Sequence, residues 1–206
     1  MTRPETTLLL PISADGRVLT QEASSHEIDP SWRATPGVRA VLAMNFMFSS
    51  HENGEYTLVS AEPLLGLNTA PDSLPQDESL HLVIIDHERL NVHGKRALSQ
   101  LTADYLLLPD LSPSSLARLS QRGVRKLTIT SSLKHNHYWF THTELLDHLS
   151  LLMYPLIVGG RGEPIFSTHH FSPAQLTLKH SRIIESNYVN IQYDLVHPHS
   201  LAHPHS

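Results

Sequence analysis

Cysteine is absent from the 206 residues. That excludes disulfides and thiolate-ligated metal, and it is compatible with a cytoplasmic home. No apolar stretch approaches the ~20 residues that a membrane-spanning helix requires. The run Leu8–Ile12 is too short for the core of a secretory signal and follows the acidic Glu5. Basic residues are scattered, and the formal net charge is -5, so there is no electrostatic footprint for nucleic acid. No Gly-x-Ser-x-Gly elbow occurs, and no predicted helix carries two histidines four residues apart.

The composition that remains is that of a folded chain. Hydrophobic residues make up 40%, enough for a packed interior, and the length suits one domain or at most two small ones. We expect a single domain over residues 1–196. The sixteen histidines are unusual, and four fall in the last ten residues, where His-Pro-His-Ser occurs twice. Residues 197–206 read as a disordered His/Pro/Ser tail.

Along the chain, Thr6–Ile12 reads as a buried strand and Ser13–Gly16 as a turn in which Gly16 takes positive φ. Pro36 suits a helix start, with Val38, Val41 and Leu42 at helical spacing. Glu55–Ser60 is a strand, which Pro63 cuts short. Leu80–Asp86 ends in an unbroken apolar run, the mark of a strand buried on both faces. Tyr105–Leu108 is a further strand. Ser112-Pro113 makes a helix start, with Leu116 and Leu119 inward and Gly123 at the end. Lys126–Thr130 is a strand, His137–Asp147 a helix with Leu145 and Leu146 inside, and Leu149–Pro155 a strand. Leu176–Glu185 and Tyr188–Leu195 close the chain as an antiparallel pair. In the second of these, Val189, Ile191, Tyr193 and Leu195 alternate with Asn190, Gln192 and Asp194, predicting one wet face. The fold class is α/β: a mostly parallel central sheet flanked by helices, with a C-terminal antiparallel hairpin.

Several stretches, taken in order, resemble the riboflavin-biosynthesis pyrimidine reductases, of the RibD C-terminal type. Arg3–Leu8 followed by Ser13-Ala14-Asp15-Gly16-Arg17 resembles the family's first strand and its Ser-x-Asp-Gly-Arg/Lys turn. Val83–Asp86 resembles its central strand, and Gly123–Ile129 the strand before its Gly-Gly cofactor motif. Leu152–Gly160 resembles its apolar-x-Pro-x-apolar-Gly-Gly strand and loop. The resemblance runs from about Thr2 to Leu195. It implies a dihydrofolate-reductase-like fold and NADPH as hydride donor. The implied substrate is a small molecule, a phosphorylated aminopyrimidine whose ribosyl group becomes ribityl. Relatives are commonly dimers, so it also implies a homodimer.

On that reading Ser13 and Asp15 contact substrate. The cofactor side takes Gly159 and Gly160, whose backbone approaches pyrophosphate. It also takes Ser131 and Ser132, which replace a phosphate nest with hydroxyls, and Ser60 and Asp86 at strand ends. Each has a plainer reading: an ordinary Asp-Gly turn, a strand-ending acid, a polar connection, a surface loop. The family's Gly-Gly pair falls here on Ser132-Leu133, and its Thr-Gly-Arg on Ser60-Ala61-Glu62. A rival reading is a non-catalytic relative that keeps the fold as a binding or assembly module. A weaker rival is metal binding through His135, His137, His142, His148 and His169-His170.

Overall fold

The computed structural model describes residues 2–18, 54–65, 79–86, 90–130, 133–159, 164, 174–184 and 188–197. The expected helix from Pro36, the loop before residue 79, Gly160, Ser131, Ser132, His169, His170 and residues 198–206 lie outside them. The chain divides into two compact units, Met1–Glu5 with Leu42–Ser132, and Thr6–Val41 with Leu133–Ser206. Each contains four of the eight strands found among the described residues.

The first unit holds β2 (Glu55–Ser60), α1 (Ala61–Leu65), β3 (His81–Ile85), α2 (Val92–Ser99), β4 (Asp104–Leu108), α3 (Pro113–Gln121) and β5 (Lys126–Ile129). Its strands are all parallel, in the order β4-β3-β2-β5. Leu82, Val83, Ile84 and Ile85 are all buried, as an unbroken apolar run on an interior parallel strand requires. Leu82 and Ile84 join one core cluster with Leu64 and Leu65 of α1 and Ala97 of α2. Each large side chain buried there contributes about 1.5–3 kcal/mol.

The start of α3 forms as its sequence predicts. The Ser112 hydroxyl accepts from the Ser115 N–H, Pro113 opens the helix, and Leu116 and Leu119 are buried. Pro63 does end β2 where expected, but the chain passes directly into α1. The sequence reading did not identify α2. Asn91 caps it by accepting from the Gly94 N–H. Its buried residues are Gly94 and Ala97, too small to leave an apolar stripe, while Val92 is 80% exposed.

The second unit holds β1 (Glu5–Ser13), α4 (Leu133–Thr141), a 3-10 turn (Thr143–Leu145), β6 (His148–Tyr154), β7 (Gln175–Ile184) and β8 (Tyr188–Val196). β1 and β6 are parallel, β8 runs antiparallel to β6, and β7 antiparallel to β8 at the edge.

Two expectations need correction here. The helix expected over His137–Asp147 starts and ends earlier, at Leu133 and Thr141. Leu145 and Leu146 are buried, but on the 3-10 turn and the connection into β6. The misreading has a cause: the inner side of α4 mixes Trp139 and Phe140 with the buried polar residues His135 and Asn136, so its apolar period is weak. On β8 no single face is wet: Asn190 is buried, donating from Nδ2 to Ser150 Oγ (2.8 Å), whereas Gln192 and Asp194 are half-buried, as are Val189, Ile191, Tyr193 and Leu195.

Candidate functional site

In the second unit the site grows from the end of β1. Ser13 is fully buried and is the last strand residue. The Gly16 N–H closes the turn onto the Ser13 carbonyl (3.0 Å), and Gly16 adopts φ +73°, as the Asp-Gly reading predicts. The Ser13 hydroxyl donates to Asp15 Oδ1 (2.5 Å) and accepts from the Arg17 N–H (2.9 Å).

The Asp15 carboxylate then reaches across to the loop after β6. Val158 N–H donates to its Oδ1 (3.1 Å) and Gly159 N–H to its Oδ2 (2.7 Å). A further bond joins the same two segments, Ala14 N–H to the Leu156 carbonyl (2.8 Å). The Ser13 hydroxyl, then the Val158 and Gly159 N–H groups, hold the Asp15 carboxyl down to about 2. The structure thus brings Ser13, Asp15 and Gly159 into one cluster.

This geometry divides the expected duties of Gly159. Its N–H is committed to Asp15, so it is not a free phosphate donor. Its backbone sits at φ +74°, and a Cβ built there meets no heavy atom within 4 Å. What Gly159 offers a ligand is close approach to bare backbone.

Tyr154 belongs to the same corner and was not singled out from the sequence. It is the β6 residue in register with Ser13. Its ring meets that of Tyr188 edge-on at 5.0 Å. The phenol is buried, which pushes its pKa up, and its hydroxyl has no hydrogen-bond partner among the described residues. A buried unpaired hydroxyl costs roughly 1–3 kcal/mol, so this group is poised to take a partner. Nothing in the sequence marks it beyond its place at the end of an apolar strand.

In the first unit, Ser60 and Asp86 stand at the carboxyl ends of adjacent parallel strands. Ser60 is in register with Ile85, the residue before Asp86. Ser60 is buried, and Asp86 is half-buried at φ +63°. A non-glycine residue in the left-handed region is uncommon, and Asp tolerates it better than most. At the end of β5, the Thr130 N–H and hydroxyl both bond the Leu58 carbonyl (3.0 and 3.3 Å). Carboxyl ends of parallel strands are where open α/β sheets place ligands.

The described histidines do not converge. His137 is exposed and His135 buried. His142 stacks on Tyr138 (4.2 Å) and His148 pairs with Asp194 (2.6 Å). Among the described residues no group of three or more His, Asp or Glu is arranged to hold a metal ion. Nor is any helix among them long and apolar enough to cross a membrane.

The model of the RibD C-terminal domain matches residues 4–190. The chain belongs to that family. Its fold is accordingly the dihydrofolate-reductase-like α/β fold, mostly parallel with antiparallel C-terminal strands. RibD of Acinetobacter baumannii, in one crystal form, is similar at a TM-score of 0.61 and 15% identity, over 95% of this chain and 59% of that one. The riboflavin biosynthesis reductase Rib7 of Saccharomyces cerevisiae is similar at 0.54 and 14%, over 94% and 90%. A pyrimidine reductase-like protein of Corynebacterium diphtheriae is similar at 0.53 and 14%, over 94% and 92%. No curated protein matches the chain. Such identities speak for the fold; the chemistry of this family member rests on its own residues.

Proposed function

We propose that the chain is an NADPH-dependent reductase of the riboflavin-pathway pyrimidine type, reducing the ribosyl group of a phosphorylated aminopyrimidine to ribityl. The observation that carries this reading is family membership over residues 4–190, with the expected turn and glycine loop joined through Asp15. NADPH supplies the hydride, and the protein supplies position and electrostatics.

The chain's residues divide the work as follows. Asp15 fixes the glycine loop: the bonds from Val158 and Gly159 to its carboxylate and from Ala14 to Leu156, three in all, hold the two segments together, while Ser13 orients the carboxylate. A rigid loop costs less ordering entropy when a ligand binds. Gly159 then lets the cofactor approach bare backbone. Tyr154 offers a desolvated phenol hydroxyl beside Ser13 for a substrate polar group. Within the other unit, Ser60 and Asp86 at strand ends, with Ser131 and Ser132, are the positions the resemblance gives to cofactor, as Gly160 is in this one. The hydride step draws on positioning rather than on a nearby general acid, since Asp15, held down to about 2, stays ionised at neutral pH.

One observation favours the second reading, a non-catalytic relative. The Val158 and Gly159 N–H groups, a ready pair for an anion, already hold the chain's own carboxylate. Turnover separates the two readings. The full chain, given NADPH and the phosphoribosylaminopyrimidine, is expected to consume both and release NADP and the ribitylamino product. Saturable NADPH binding without oxidation would sink the catalytic claim and leave a binding module.

A further inference from the structure

β6 ends at Tyr154, and the five residues that follow carry no polar side chain: Pro155, Leu156, Ile157, Val158 and Gly159. Yet they lie at the surface. Pro155 and Ile157 are exposed, Ile157 by 79%, and Leu156, Val158 and Gly159 are half-buried. Surface connections are ordinarily polar, and a run of exposed apolar residues is a flaw unless it serves a contact. A single exposed isoleucine asks for no explanation. One that stands in such a run and is held in place does.

Hydrogen bonds hold it from both sides. Before Ile157, the Leu156 N–H donates to the Tyr154 carbonyl (2.8 Å), and the Leu156 carbonyl accepts from the Ala14 N–H (2.8 Å). After it, the Val158 and Gly159 N–H groups donate to the Asp15 carboxylate (3.1 and 2.7 Å). Turning Ile157 inward would break bonds of backbone groups that must stay paired. A free loop would fold that side chain back and take its apolar surface out of water. This one keeps it on display. Beside it, Gly159 has open space where a Cβ would stand. The Asp15 side of the same contact is exposed as well. A carboxylate offers about four lone-pair sites, and the Ser13, Val158 and Gly159 donors take three. Room is left for one more donor, from a ligand.

We infer that Ile157 is the platform on which the pyrimidine ring of the substrate rests, with a ring amino group donating to the Asp15 carboxylate. This deepens the reductase reading and rests on it, since that reading puts substrate at Ser13 and Asp15. The platform and the carboxylate together ask for one ligand with a flat apolar face and an N–H donor in its plane, which is the chemistry of an aminopyrimidine. A phosphate is repelled by the ionised carboxylate, and a sugar chain has no flat face to lay on isoleucine. Ring and side chain shield one another from water, and a hydrogen bond to an ionised acceptor is stronger than a neutral one. The ring is then fixed both in its plane and against it, which holds the attached ribosyl carbon in place for hydride.

Ile157→Ser removes the platform, and at 79% exposure the change is expected to leave the melt where it is. With NADPH and the phosphoribosylaminopyrimidine, the Ile157→Ser chain is expected to show a substrate KM raised roughly tenfold, its Kd for NADPH staying within about twofold of native. Ile157→Val is expected to recover most of that loss. An analogue with hydrogen in place of the ring amino group is expected to bind the native chain roughly tenfold more weakly. An unchanged substrate KM in Ile157→Ser overturns the inference and leaves the reductase reading standing. So does a rise confined to the Kd for NADPH, which would put nicotinamide on the platform. So does a melt lowered by several degrees, which would show the side chain packed into its own fold. A native chain that neither binds NADPH nor turns over removes the reductase reading itself, and this assignment with it.

Discussion

Replacing Ser13 by Ala removes one hydroxyl from the centre of the site and has a calculable result. That hydroxyl makes two bonds, donating to Asp15 and accepting from the Arg17 N–H. A net hydrogen bond contributes about 1 kcal/mol, and one to a charged group can reach about 3. Asp15 is exposed, so water screens its share and only the bond from Arg17 is counted. The expected loss is therefore about 1 kcal/mol. For a chain of this size each kcal/mol moves the melting temperature by roughly 2–4 °C at neutral pH. The same change has a second signature. Ser13 is the largest cause of the depressed Asp15 carboxyl, so in Ser13→Ala that carboxyl rises from about 2 toward its ordinary 3.8. A group depressed in the folded state stabilises the fold above its unfolded pKa, and that stabilisation fades as pH falls between about 4 and 2. The gap in melting temperature between native and variant is therefore widest above pH 4 and narrows toward pH 2. Carbon-detected NMR titration of Asp15 together with melting curves at several pH values reads both effects. An Asp15 that titrates at its ordinary value in the native chain, or one that stays near 2 in the variant, would refute the reasoning.

Three further outcomes follow from named positions. Tyr154→Phe removes a buried hydroxyl that lacks a partner among the described residues, so stability is expected to hold steady or rise by up to about 1 kcal/mol while substrate KM increases; a clear loss of stability would show the phenol already bonded. Gly159→Ala meets no clash but forces an L-residue to φ +74°, costing about 1–2 kcal/mol by thermal melt; no change in the melt would mean the loop relaxes freely. Ser132→Gly together with Leu133→Gly installs the glycine pair that the family resemblance implies at this place and is expected to tighten NADPH binding, read by calorimetry; an unchanged Kd would place the cofactor's phosphates elsewhere.

Local chemistry was the legible part of this sequence. Ser112-Pro113 marked a helix start, the Asp15-Gly16 turn marked the end of β1, and the apolar run of β3 marked an interior strand, because each signal lies within a few residues of its consequence. The helix α2 escaped because its inner residues, Gly94 and Ala97, leave no apolar stripe. The limits of α4 were misread because its buried side includes His135 and Asn136. At the site, Ser13 and Asp15 could be named in advance, but not the contact between Asp15 and Gly159, which lie 144 residues apart in the chain. The β8 alternation marked a strand, but not its exposure, since its polar and apolar positions from Ile191 onward are alike half-buried. Which side of a strand is buried depends on what packs against it, and a period alone does not carry that.

NADPH binding to the full chain tests the central claim most directly. At a concentration 100 times its Kd, the cofactor adds about 2.7 kcal/mol to a fold that binds it, a rise in melting temperature of roughly 5–10 °C for a chain of this length. The account predicts that rise, saturating with concentration and diminished in Gly159→Ala. A melt that does not move at millimolar NADPH contradicts it.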